Sequence, residues 1–402
     1  MFSDIVSSIT GETNPLYRLR DQLAARGQHA IDLVAGNVNE HGILYPQELL
    51  KEALGRACRE CAIYRPDSLG QIRARAAISA YYAKQGQPLP EEQILLTPGT
   101  SISYWYCFKL LTNAGEEILC PQPSYPLFDF IATLCGVRMI PYRLRESANW
   151  SIDLEHLEAS ISTSTRALVL ISPHNPTGHV STMDEITALA EIAARHDLAI
   201  ISDEVFSEFL LHSETLPRPA ASAAPLVFTL NGFSKMLALP GIKLGWMAVS
   251  GRRELASQAM KTLELISDTF LPVNEAVQAA VPYLLEDGAE FQISHRREIR
   301  TRWRVFADAL GNCKACDYIQ PDGGFYVTLR LKDLEEEAAA ESILREALFL
   351  VHPGYFYDLE PSHLILSFVQ QPELIRDYVP RVLAALRSCN ARIGGSASGR
   401  RT

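Results

Sequence analysis

Hydrophobic positions in the middle of the chain fall in short continuous runs rather than in strict alternation. Runs at 93–97, 117–120, 167–171, 198–202, 226–230 and 244–249 predict strands buried on both faces, because a strand covered on one face alternates apolar with polar. Helical periodicity separates them. Over 183–196, Ile186, Leu189, Ile192 and Ala193 mark one face. This alternation predicts an α/β fold, a three-layer αβα large domain around a mainly parallel sheet.

The pattern changes after 288. A long charged helix over 289–310 precedes short strands near 324–329 and 364–369 and a helix over 372–388, which reads as a smaller α+β domain. The expected division is an N-terminal segment, 1–45, packed with the small domain, then a large domain at 46–288 and the small domain at 289–391. The Gly/Ser/Arg-rich end, 392–402, is expected to be a flexible tail.

A length of 402 residues suits two such units. The net charge of −10, with no long Lys/Arg run, argues against nucleic acid and anionic membranes as partners. No apolar run reaches bilayer-spanning length. The first ten residues include Asp4 and no basic stretch, so no secretory leader is expected and the cytoplasm is the expected location. Of eight cysteines, Cys58/Cys61 and Cys313/Cys316 have C-x-x-C spacing. The first pair falls in a helical segment and the second lies far away in sequence, so free thiols are expected, with no metal site.

Neither of the common glycine-rich nucleotide motifs is present. Instead, polar clusters follow four of the strands. Thr97-Pro98-Gly99-Thr100-Ser101 opens a helix, whose free amides and dipole suit an anion, although a plain helix cap reads equally well. In Ser172-Pro173-His174-Asn175-Pro176-Thr177-Gly178, Asn175 is a turn former or a ligand contact at a strand's carboxyl end. Asp203 ends another strand, where a buried carboxylate needs either an ion pair or a cationic ligand. Lys235, in Asn231-Gly232-Phe233-Ser234-Lys235, is a surface lysine or a desolvated nucleophile.

Taken in order, anion loop, Asn, Asp and Lys resemble the fold-type I enzymes that use pyridoxal 5′-phosphate (PLP), and specifically the class I/II aminotransferase family, from about Gly36 to Phe368. The resemblance implies that Lys235 forms a Schiff base with PLP and moves the proton at the substrate α-carbon. It implies that Asp203 pairs with the pyridine nitrogen, that Asn175 bonds the ring 3′-oxygen, and that Tyr125 stacks on the ring. Gly99, Thr100, Ser101 and Ser234 would hold the phosphate, and Tyr64 would reach the phosphate of a partner subunit in a homodimer with shared sites. Gly36 would lie beside the substrate. The implied activity is transfer of the amino group of a small amino acid or amine. The alternative is a lyase, cyclase or β/γ-replacement enzyme of a specialised biosynthetic pathway, built on the same carbanion. The lack of a basic N-terminal winged-helix stretch argues against a cofactor-binding sensor, and the presence of Lys235 and Asp203 favours catalysis over bare binding.

Four positions depart from the family pattern. Phe206 replaces a tyrosine that donates to the ring oxygen. Lys243 replaces a phosphate-binding arginine and loses its bidentate fork. Gly232 stands where many relatives have serine. Ile365 stands where the family clamps the substrate carboxylate with arginine. Tyr17, Arg18 and Arg20, in an N-terminal segment that the family folds over the site, are the candidate substitutes, against an ordinary helix start. The stretch from His352 to Tyr357 is expected to line the substrate pocket or to be core.

Overall fold

The structure is a computed structural model that describes residues 3–5, 13–311, 313–359 and 362–398. Its large sheet has eight strands: β2 (Ile94–Thr97), β3 (Glu117–Gln122), β4 (Arg138–Arg145), β5 (Ser151–Ile152), β6 (Thr165–Ile171), β7 (Ala199–Asp203), β8 (Leu226–Gly232) and β9 (Gly245–Gly251), in the order β2-β9-β8-β7-β6-β3-β4-β5. The central run from β8 to β4 is parallel, whereas β9 lies antiparallel between β2 and β8. The remaining strand, β1 (Ile31–Asp32), lies outside this sheet.

Full burial of the central strands follows from packing on both faces. Along β6, Leu168 and Leu170 join one apolar cluster while Ala167, Val169 and Ile171 join another. The helix Met183–His196 covers the first face through Ile186, Leu189, Ile192 and Ala193, the stripe read from the sequence. The helices Thr100–Leu111, Leu127–Cys135 and Arg253–Phe270 cover the other. These are the three layers expected.

The sequence pattern did not reveal β4. Its exposure alternates, Pro141 lies inside it, and only the two-residue β5 lies beyond it at the sheet margin. A strand near the margin needs only one buried face, and proline is tolerated there.

The C-terminal region forms a second sheet, ordered β10 (Cys316–Tyr318), β11 (Tyr326–Leu331), β14 (His363–Ser367), β13 (His352–Pro353). β1 pairs in parallel with β12 (Phe349–Leu350), and Leu16, Leu19 and Leu23 of the helix Pro15–Ala25 join the core of this region. The N-terminal segment thus contacts the C-terminal region through β1 and this helix. The last helix, Pro372–Ser398, corrects the expected tail: residues 392–398 continue it, and 399–402 lie outside the described residues. No helix among the described residues is long and apolar enough to cross a membrane. All eight cysteines are free thiols, with Cys316 Sγ 3.1 Å from Cys313 Sγ.

Candidate active site

The carboxyl ends of β6, β7 and β8 open on a cavity of about 190 Å³ lined by Asn175, Asp203, Phe206, Lys235, Tyr125 and Tyr326, among others. A second cavity of about 290 Å³ shares Thr100, Ser101 and Ser234 with it and adds Gly99 and Lys243. Strand ends that converge in an open α/β sheet are its usual ligand site. A larger polar cleft of about 320 Å³ lies elsewhere, but its main charges are already paired, Arg218 with Glu204 and Arg296 with Glu208.

Lys235 sits in the short helix Phe233–Met236 directly after β8. Its Nζ donates to the carbonyl of Gly36 at 2.7 Å and lies 5.8 Å from the ring centroids of both Phe206 and Phe325. Loss of water around the amine pushes its pKa down to about 8. Gly36 has no room for a side chain: a Cβ would overlap Tyr326 Oη and come 3.3 Å from Lys235 Nζ.

Asp203 is buried. Its Oδ2 accepts from Tyr104 Oη at 2.8 Å and its Oδ1 from the Val205 amide at 3.0 Å. Burial raises its pKa against the lowering effect of those two donors. The next residue, Glu204, turns the other way, onto Arg218 at 2.6 Å. The ion pair expected as the plain alternative at this strand end thus belongs to Glu204, and Asp203 faces the cavity. Asn175 also faces it, and its Oδ1 is buried with no partner among the described residues.

The anion loop is built by close backbone approach. Gly99, at φ 150°, precedes the helix Thr100–Leu111, whose first amides have no intrahelical acceptor. A Cβ on Gly245 would come 3.0 Å from Gly99 Cα, and one on Gly232 would come 2.9 Å from the Leu244 carbonyl oxygen. This explains the glycine found at 232 in place of a serine: the backbone of β9 occupies that space. Ser234 lines both cavities instead, and the exposed Lys243 borders the second.

The other sequence candidates fall in different places. Tyr125 lines the cavity with 42% of its surface exposed. Tyr64 is 73% exposed and lines neither cavity. Arg18 is exposed on the helix Pro15–Ala25, and Arg20 pairs with Asp21 at 2.8 Å while lying over the Tyr17 ring. Tyr17 Oη is 2.9 Å from His352 Nε2. Ile365 is fully buried in β14. Two residues near the centre were missed by sequence reasoning. Tyr104 lies inside an apolar helix, and Tyr326 follows Gly323-Gly324-Phe325 at the start of β11. Only the doubled glycine before Tyr326 was a local signal of a backbone held close to something.

Known proteins place this geometry. The profile of the family described as aminotransferase class I and II matches residues 28–377. Glutamate-pyruvate aminotransferase AlaA of Haemophilus influenzae is 28% identical over 388 residues, covering 93% of this chain and 95% of that one. Arginine–pyruvate transaminase AruH of Pseudomonas aeruginosa is 26% identical over 401 residues, covering 98% and 100%. Among solved structures, alanine aminotransferase from Pyrococcus furiosus shares the fold with a TM-score of 0.89 at 22% identity, over 96% of this chain and 100% of that one. With one family profile matching most of its length, this chain belongs to the class I and II aminotransferases.

Proposed function

We propose that this aminotransferase holds PLP on Lys235 and uses it to move the amino group of a small amino acid or amine. The observation that carries the reading is the desolvated Lys235 amine in one cavity with Asp203 and Asn175. The residues suit the group. The Asn175 side chain lines the cavity and carries an NH2 donor suited to a ring oxygen, a buried carboxylate at Asp203 matches a ring cation, and the helix start at Thr100 with Ser234 and Lys243 matches a phosphate. When bound, PLP supplies an electron sink for the charge left on the substrate carbon.

The chain's own groups supply the rest. With a pKa of about 8, Lys235 is partly neutral near physiological pH and is able to take a proton from the substrate α-carbon. The Gly36 carbonyl holds its Nζ at the cavity edge. Tyr104 and the Val205 amide keep the Asp203 carboxylate oriented and oppose the rise that burial imposes. Phe206, Phe128 and Ile131 exclude water from the cavity wall, which strengthens each polar contact inside.

We also propose that two copies pair, with Tyr64 reaching the partner's site, that the protein works in the cytoplasm, and that 46–288 forms the cofactor-bearing domain beside the smaller 289–391 domain. Support for pairing comes from exposed apolar residues on adjoining segments: Ile63 and Tyr64 on one, Leu265, Phe270 and Leu271 on the other. Ser68 Oγ bonds Asp268 at 2.8 Å and the Arg65 amide bonds Glu275 at 3.0 Å, so these segments lie side by side.

The test is borohydride reduction of protein supplied with PLP, followed by peptide mass analysis. A pyridoxyl adduct is expected on the peptide carrying Lys235 and is expected to disappear in Lys235→Ala. An unmodified wild-type peptide refutes the reading. Amino donors without a keto acid are then expected to convert the bound cofactor to its amine form, whereas release of a substrate fragment would favour the lyase alternative.

A further inference from the structure

We infer that the amino donor carries no free carboxylate beside its amine: it is a primary amine, or an amino-acid derivative whose carboxyl is masked as an amide, ester or thioester. This rests on the aminotransferase reading and adds to it the class of molecule accepted.

The argument begins with register. Directly opposed residues of antiparallel strands share a face, and every second residue returns to it. Tyr326 of β11 opposes Ser367, and Thr328 opposes Ile365. His352 of β13 also opposes Ile365. Tyr326, Thr328, Ile365 and His352 therefore look the same way, and Tyr326 lines the cavity that contains Lys235. Ile365 stands on the face that Tyr326 presents to the cavity, and it is fully buried and apolar, so this face carries no charge there.

Among the described residues of one chain, no neighbouring charge takes its place. Of the described residues lining the cavity, Lys235 alone is cationic. Arg20 is engaged by Asp21 and the Tyr17 ring, and Arg18 is exposed on the same helix. His352 is not a substitute cation. Its Nε2 lies 2.9 Å from Tyr17 Oη and its Nδ1 3.2 Å from Tyr357 Oη, so both ring nitrogens are engaged. Burial pushes its pKa down to about 4, which leaves it neutral at physiological pH.

The Ile365 face is instead finished by a neutral cluster. Tyr17, His352 and Phe356 pack ring against ring, and Tyr17 stacks on Phe356 at 6.0 Å. Tyr357 joins the cluster through the His352 ring, at 5.9 Å between centroids. Burial raises the pKa of Tyr17, Tyr326 and Tyr357, and the Asp32 carboxylate adds to each rise, so the charge near this cluster is negative. A substrate carboxylate there would lose water, meet no cation and face an anion. An amide or ester carbonyl, or a bare carbon, loses little by the same transfer, and phenol hydroxyls can donate to a carbonyl.

The test uses protein loaded with PLP and two matched sets: alanine, alaninamide and ethylamine, and phenylalanine, phenylalaninamide and phenethylamine. Apparent Kd is read from the cofactor absorbance. In at least one set the amide or the amine is expected to bind at least about tenfold more tightly than the free acid, since no charge-assisted pair holds the acid. Ile365→Arg is expected to shift the order towards the free acid. The wild-type order decides the matter whether or not that variant folds. Free acids that bind as well as or better than both other forms in both sets overturn the inference and leave the aminotransferase reading standing. If no compound alters the absorbance while borohydride still fixes PLP on Lys235, the aminotransferase reading fails and the inference fails with it.

Discussion

Desolvation of one amine marks out the proposed site. Burial lowers the Lys235 pKa from 10.5 to about 8, and the Gly36 carbonyl holds the amine at 2.7 Å. Only the neutral amine attacks an aldehyde. Uptake of PLP by cofactor-free protein is therefore expected to speed up as pH rises through about 8 and to level off above it. Stopped-flow absorbance against pH measures this, and a rate still climbing tenfold per pH unit at pH 9.5 would show an unperturbed lysine. This lysine could be singled out as a candidate from the chain, because Asn231-Gly232-Phe233-Ser234-Lys235 follows a strand and precedes Pro240-Gly241. Its environment was not. Phe325 and Tyr326, which enclose the amine with Phe206, come from β11 and the turn before it, about ninety residues further along.

Single elements carry this site through their ends. The helix Met183–His196 begins with a capping box in which the Thr182 side chain accepts from the Glu185 amide and Glu185 accepts from the Thr182 amide at 2.8 Å. Glu185 also accepts from the Ile152 amide at 2.7 Å and meets His179 at 3.1 Å, which ties the helix to β5 and to the loop carrying Asn175. Burial alone would raise the Glu185 carboxyl. Bonding and charge from His179, with the two amides, overcome it and hold the pKa at about 2. A carboxyl depressed on folding stabilises fully above its unfolded pKa, near 4.5, and that contribution fades as pH falls towards 2. The shift corresponds to about 3 kcal/mol. Glu185→Gln is expected to lower stability at pH 7 by that order and to flatten the acid limb between pH 4.5 and 2. Urea unfolding at several pH values measures both. An unchanged acid limb would show that Glu185 is not the group responsible.

At the scale of the whole molecule, the exposed apolar residues Ile63, Tyr64, Leu265, Phe270 and Leu271 predict a contact between two chains. Wild-type protein is expected to sediment as a dimer. Ile63→Glu with Leu265→Glu is expected to shift it towards monomer and to loosen PLP, because under the proposed pairing Tyr64 would no longer reach the partner's site. A double variant that stays dimeric would place the interface elsewhere. The two sheets also meet at this scale. The large sheet supplies Lys235, Asp203 and Asn175, while the C-terminal sheet supplies Tyr326 and the face on which Ile365 and His352 stand.

The sequence alone determined the layers, the six fully buried strands, the stripe of the helix Met183–His196 and the order of the polar strand ends, because each is a local pattern of burial or a turn at a known offset. Only the tertiary structure decided that Asp203 faces the cavity while Glu204 takes the arginine, and that β9 backbone fills the space beside Gly232. It alone showed that His352, neutral between Tyr17 and Tyr357, does not replace the missing charge. Those outcomes depend on strand register and on contacts between residues far apart in the chain, and no periodicity along the chain records them.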